Sequence, residues 1–151
     1  MPELADSHTS ARIDVANELR PILVRLGRKL RTETTHLGIT GGQATLLWQI
    51  SERPGIGLRE LAELEGVSNP TASGLVDRLE NAKLVERVRS TTDRRRVGLT
   101  ITAEGRELLN AVRARRSVWL AERLERLRPS QRAAIEAALK PLARLVADQE
   151  D

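Results

Sequence analysis

The chain has 151 residues, with 25 Lys+Arg against 21 Asp+Glu for a formal net charge of +4, and it contains no cysteine, phenylalanine or tyrosine. That length suffices for one domain with a real core, which must be built from Leu, Val, Ile and Ala around Trp48 and Trp119. Without cysteine, disulfides, thiolate metal sites, thiol redox sensing and Cys nucleophiles are excluded.

Residues 1–9 are expected to form a disordered tail. The start MPELADSHTSARID is polar and lacks the apolar centre of a secretory signal. No run approaches the ~20 apolar residues needed to cross a bilayer, so a soluble cytoplasmic protein is expected. From about Ser10 to His36, apolar positions recur at spacings of three and four through Ile13, Ala16, Leu23, Leu26 and Leu30. That period predicts a long amphipathic helix, capped by Ser10 and kinked at Pro21. A helix starting only at Pro21 is the alternative.

Thr40 and Gln43 have capping-box spacing and open a helix with Ala44, Leu47 and Ile50 on one face. Glu52-Arg53-Pro54-Gly55 is a turn. A short helix over about 58–65 should turn Leu58, Leu61, Ala62 and Leu64 inward and stop at Gly66. Ser68 caps the next helix, about 69–82, with Pro70 in its first turn. The period then changes, and Leu84–Arg89 and Val97–Ile101 read as strands. In the second, Val97, Leu99 and Ile101 should share a buried face. Thr102 caps a helix to about Leu127. Beyond Pro129-Ser130 a last helix carries Ile135, Leu139, Leu142 and Val146, with a kink expected at Pro141.

Charge is concentrated at one place. Between Lys83 and Arg96 stand Lys83, Arg87, Arg89, Arg94, Arg95 and Arg96 against only Glu86 and Asp93, an excess equal to the net charge of the whole chain. Two short helices meeting at Glu65-Gly66-Val67-Ser68 make a helix-turn-helix. Val67, Ala72, Leu75, Val76 and Leu79 can pack inward, leaving Asn69, Thr71, Ser73, Gly74, Asp77 and Arg78 outward. Ser68 and the free N–H groups of that helix end suit a phosphate. Asn69, Thr71 and Ser73 can reach base edges, and Arg78 can reach backbone or guanine. Gly74 costs about 1 kcal/mol inside a helix relative to alanine, which points to a close approach, of DNA or of a neighbouring helix. The hairpin tip places Arg94, Arg95 and Arg96 where a narrow minor groove would attract them, and Asp93 could hold one guanidinium by a bidentate pair. A fold that is mainly α with a small β-hairpin, a winged helix-turn-helix with a helical dimerisation arm, follows, and with it a DNA-binding rather than a catalytic role. His8 and His36 have no second ligand at metal spacing and no adjacent nucleophile, so no catalytic residue, metal or cofactor is expected.

In GVSNPTASGLVDRLENAKLVER at 66–87, DRRR at 93–96 and ITAEG at 101–105, together with the helix order, the chain resembles the multiple-antibiotic-resistance-regulator (MarR) family over about residues 10–148. The resemblance implies a single domain over 10–148. Its dimerisation helices would span about 10–37, 103–127 and 130–148, and its winged DNA-binding lobe about 40–101. It implies a homodimer on a palindromic double-stranded operator, usually as a repressor, and no association with membranes. Asp93 and Arg95 fall on the family's wing Asp-x-Arg pair, with Arg95 the implied minor-groove arginine. The DNA-contacting set is then Ser68, Asn69, Pro70, Thr71, Ser73, Gly74, Arg78, Arg87, Asp93, Arg94, Arg95 and Arg96. One departure is Lys83, where the family has Gly; Lys83 must turn left-handed at some cost, or the helix must end differently.

The first, fifth and sixth helical segments carry more apolar surface than a three-helix core with a hairpin can absorb, so Leu139, Leu142 and Val146 need a partner surface. Family members often bind small aromatic acids beside the dimer arm. The resemblance therefore places an aromatic or anionic effector near His36, Trp48, Arg113, Arg116 and Trp119. Core packing for the tryptophans and a solvated face for the arginines are the plainer alternatives. A non-specific architectural DNA binder and a winged-helix protein-interaction module remain the rival functions.

Overall fold

The computed structural model describes residues 3–93 and 95–147. They belong to two compact units, Met1–Arg116 and Ser117–Asp151, whose boundary falls inside a helix.

In the first unit, α1 runs from Glu3 to Thr32, starting ahead of the expected cap at Ser10. It continues through Pro21, so the alternative of a start at Pro21 is not what forms. A 3-10 turn at Thr35–Leu37 follows. His36 sits on this turn, exposed, and not at the end of α1. α2, Gly41–Glu52, opens with the expected capping box: Thr40 Oγ1 accepts the Gln43 N–H at 3.2 Å, and Gln43 Oε1 accepts the Thr40 N–H at 3.0 Å. α3 spans Leu58–Glu65 and ends on Gly66 at φ 62°. α4, Asn69–Asn81, begins on Ser68, whose Oγ accepts the Thr71 N–H at 3.3 Å.

Beyond α4 and its cap Ala82 the chain turns at Lys83, which takes φ 59°. The Leu84 N–H donates to Leu79 O at 2.9 Å and the Lys83 N–H to Glu80 O at 2.9 Å, closing the helix as a glycine would. Thr102 fixes this turn from outside. Its Oγ1 donates to Lys83 O at 2.6 Å, its N–H donates to Leu84 O at 3.0 Å, and its Oγ1 accepts the Gly105 N–H at 3.0 Å. One threonine thus caps the next helix, α5 (Ala103–Glu125), and pins the left-handed lysine.

Strands β1, Val85–Arg89, and β2, Val97–Ile101, pair antiparallel with Val85 opposite Ile101 and Arg89 opposite Val97. The expected alternation on β2 does not hold. Val97 is exposed, while Gly98 and Leu99 are both buried. The cause is a segment distant in sequence: Ile56 bridges Leu99, with the Gly55 N–H donating to Leu99 O and the Leu99 N–H to Ile56 O, each at 2.8 Å. This covers the outer edge of β2 and leaves the wing end of the strand in solvent.

The core joins Leu46, Leu47 and Ile50 of α2, Leu61 of α3, Val76 and Leu79 of α4, Val85 and Leu99 of the hairpin, and Leu109 and Val112 of α5. Leu64, expected inward, is exposed, because Leu61 and Ala62 already fill the buried side of a helix only eight residues long. On α1, Ile13, Val15, Ile22, Leu23, Val24 and Leu26 are all exposed.

In the second unit α5 continues to Glu125. Trp119 is buried, with the Arg123 guanidinium 3.6 Å from its ring centroid and Arg123 NH1 donating to Trp119 O at 3.1 Å. α6, Pro129–Val146, starts with proline at its first position and runs through Pro141. It buries none of its residues, and Ile135, Leu139, Leu145 and Val146 are exposed.

Candidate nucleic-acid interface

The face of α4 away from the core is polar and begins at an exposed helix end. Ala72, Val76 and Leu79 are buried; Asn69, Pro70, Thr71, Gly74 and Arg78 are exposed, and Ser73 is half-buried. Ser68 Oγ and Thr71 Oγ1 lie 2.8 Å apart, so the two hydroxyls that open the helix share a hydrogen bond. A Cβ built on Gly74 would meet nothing within 4 Å. Packing inside the chain therefore does not require glycine there, which removes the neighbouring-helix explanation.

The tip of the hairpin is an ordered turn held by side chains. Ser90 Oγ accepts the N–H groups of Thr92 and Asp93, each at 3.3 Å. The Ser90 N–H donates to Arg96 O and the Arg96 N–H to Asp93 O, both at 2.9 Å. Asp93 Oδ1 accepts the Arg95 backbone N–H at 3.0 Å. Among the described residues Asp93 makes no bidentate pair with the Arg95 or Arg96 guanidinium; the carboxylate closes the turn instead, the preferred local use of a loop aspartate. Among the described residues no carboxylate pairs with the Arg95 or Arg96 side chain, and both residues are exposed. Arg94 lies outside the described residues. The work of Ser90 was not anticipated, although a serine among Thr, Thr and Asp in a tight loop is the usual signal for such a turn.

Arg87, on β1, does not project freely. Its Nε donates to Glu80 Oε2 at 2.9 Å and its NH2 to Asp77 Oδ1 at 3.0 Å.

Of the five residues considered for an effector, the four in the first unit, His36, Trp48, Arg113 and Arg116, share no hydrogen bond or ion pair with one another among the described residues. In the first unit, His36 and Trp48 are exposed and Arg113 reaches Glu52 at 3.8 Å. Arg116 donates through Nε to Leu30 O at 3.2 Å. Burial, and then the like charge of Arg31, push the Arg116 pKa below the ordinary arginine value, and the group stays charged. Trp119 belongs to the second unit, where its indole N–H has no acceptor among the described residues. A groove of about 920 Å³ lies elsewhere, between the start of α3 and the wing, lined among others by Pro54, Leu58, Val88, Arg89, Arg96 and Val97. Among the described residues no three His, Asp or Glu side chains gather as a metal would require, and no helix is long and apolar enough to cross a membrane.

A short helix presented on a helical core, with a two-stranded hairpin beside it and a third edge contributed by Ile56, defines a winged helix-turn-helix protein. A family model described as the MarR family matches residues 39–97. An HTH-type transcriptional repressor of Mycobacterium bovis is 32% identical over 97 residues, 62% of this chain and 70% of that protein. An HTH-type transcriptional regulator of Mycobacterium tuberculosis is 29% identical over 132 residues, 87% of this chain and 92% of that protein. A transcriptional regulator from Thermotoga maritima has a solved structure similar to this one at TM-score 0.73 and 30% identity, covering 87% of this chain and 93% of that one. The chain belongs to the MarR family; it is a DNA-binding transcriptional regulator of the helix-turn-helix type.

Proposed function

We propose that the chain is a homodimeric repressor of a palindromic operator, acting in the cytoplasm and relieved by a small aromatic or anionic molecule. The observation that carries this reading is the pairing of a polar, uncrowded α4 surface with a wing tip whose Arg95 and Arg96 have no carboxylate partner among the described residues. Ser68, Asn69, Pro70, Thr71, Ser73, Gly74 and Arg78 would line the major groove, with Asp93 ordering the tip that carries Arg95 and Arg96. Arg94 completes the expected contacts, whereas Arg87, held by Asp77 and Glu80, serves them without being one.

Two exposed apolar surfaces support the dimer. Leu23 of α1 is 47% exposed, and Leu139 of α6 is 59% exposed. Surfaces of that kind normally meet a partner. Dimerisation helices over about 10–37, 103–127 and 130–148, around a DNA-binding lobe at about 40–101, suit this arrangement. Repression is favoured by the name of the Mycobacterium bovis relative. The effector is supported by Arg116, a partly buried cation beside Arg31 that no acid pairs with among the described residues. Sedimentation should give twice the 16.8 kDa chain mass, and footprinting of the DNA upstream of its own coding region should protect a palindrome. Uniform coverage would instead mean an architectural binder, and a monomer without DNA affinity would mean an interaction module.

Gly74→Ala is expected to change stability and DNA binding in opposite directions. An added methyl meets open space in the free chain. It should therefore stabilise α4 by about 0.8–1.0 kcal/mol and raise the melting temperature by about 2–4 °C. The same methyl would stand between α4 and the base edges, weakening operator binding about tenfold, a cost of ~1.4 kcal/mol. Melting and gel-shift titration of the one variant check both signs. Operator binding equal to wild type would remove Gly74 from the contact surface.

A further inference from the structure

Arg87 stands in the middle of β1, opposite Leu99 of β2. Its two partners, Asp77 and Glu80, are three residues apart on α4 and so lie on one side of that helix. A single planar guanidinium therefore spans the strand that leads into the wing and the helix that carries the base-reading residues. All three side chains are more than a third exposed, and exposed ion pairs contribute little to stability. The clamp is thus a poor device for holding the fold together. It is a good one for setting an angle, because the fork accepts two carboxylates only in one orientation.

We propose that Arg87 is a positioning residue for DNA recognition, whose fork on Asp77 and Glu80 fixes α4 against the root of the wing. It acts through those two acids and does not contact a phosphate. Sequence discrimination needs α4 and the wing to engage the duplex in register, whereas non-specific binding needs only charge. Loss of the clamp therefore lowers discrimination and leaves electrostatic binding in place. This rests on the operator-specific reading above.

The test measures the ratio of operator to random-duplex affinity, and its salt dependence, for wild type, Arg87→Lys, Arg87→Gln and the double variant Asp77→Asn/Glu80→Gln. Lysine keeps the charge but cannot span both acids. The expected result is a ratio about tenfold lower in Arg87→Lys and in the double variant, with the salt slope of Arg87→Lys unchanged and melting temperatures close to wild type. A direct phosphate contact gives the reverse pattern. Arg87→Lys then keeps the ratio, the double variant binds as well or better because two repelling carboxylates are gone, and Arg87→Gln lowers the slope by about 0.9 per chain. That pattern overturns the proposal. A wild-type ratio of one overturns the operator reading as well, whereas a wild-type preference that survives in Arg87→Lys overturns the positioning role alone.

Discussion

Gly98→Ala should cost this protein more stability than any surface change, and with it the wing. A Cβ at residue 98 would stand 2.4 Å from Gly55 O and 2.7 Å from the Gly55 carbonyl carbon and Cα. All three are backbone atoms, so no rotamer change relieves the contact. The edge segment must move away from β2, and it is held there by two backbone hydrogen bonds of 2.8 Å between Gly55, Ile56 and Leu99. Losing them costs about 1 kcal/mol each, and the displacement itself costs roughly 1–3 kcal/mol. Leu99 and Ile56 belong to the buried core, so water gains a path to it. The total, about 3–5 kcal/mol, is a large share of the ~5–15 kcal/mol that a domain has in reserve. Thermal melting should show a drop on the order of 10 °C, with DNA binding lost at temperatures where wild type binds. A variant that melts within about 2 °C of wild type would mean that the edge segment yields freely.

That contact also shows where sequence reasoning runs out. Local signals were legible wherever one residue acts on its near neighbours. The Thr40–Gln43 box, the Ser68 cap and the start of α5 after Thr102 follow from side chains reaching three residues away, and the stop at Gly66 from the freedom of glycine to take φ 62°. Lys83 was half legible: the resemblance, with glycine at that place, left a left-handed lysine or a different helix end, and φ 59° is the first of the two. The burial of Gly98 and exposure of Val97 were not legible, since they depend on a loop that precedes α3 coming to rest on β2. The same limit hid the partners of Arg87. Asp77 read as an outward charge on a helix and Glu80 was not singled out, and only the docking of the hairpin onto α4 brings both to Arg87 of β1. For Asp93 the sequence suggested a guanidinium partner, whereas among the described residues its carboxylate takes a backbone N–H two residues on.

This change of partner alters what the wing can do. An arginine tied to a carboxylate must break that pair to meet a phosphate or a base edge. Arg95 has its backbone fixed and its guanidinium unpaired among the described residues, so the direction of the loop is set while the charge remains available. Arg95→Ala is accordingly expected to weaken operator binding by about tenfold to a hundredfold, or ~1.4–2.8 kcal/mol. As an exposed position it should change folding stability by less than about 0.5 kcal/mol. The salt dependence carries more information than the affinity. Each phosphate-neutralising cation lost lowers the slope of log K against log salt by about 0.9, so a single wing gives about 0.9 and a dimer engaging both wings gives about 1.8. Asp93→Asn separates the two contributions. It weakens the carboxylate hold on the Arg95 N–H but removes no cation, so affinity should fall while the slope stays at or above the wild-type value. Titrations of wild type and the two variants at several salt concentrations check this. If Arg95→Ala leaves both affinity and slope unchanged, the wing arginine has no part in DNA binding, and the charge gathered at the hairpin tip serves something else.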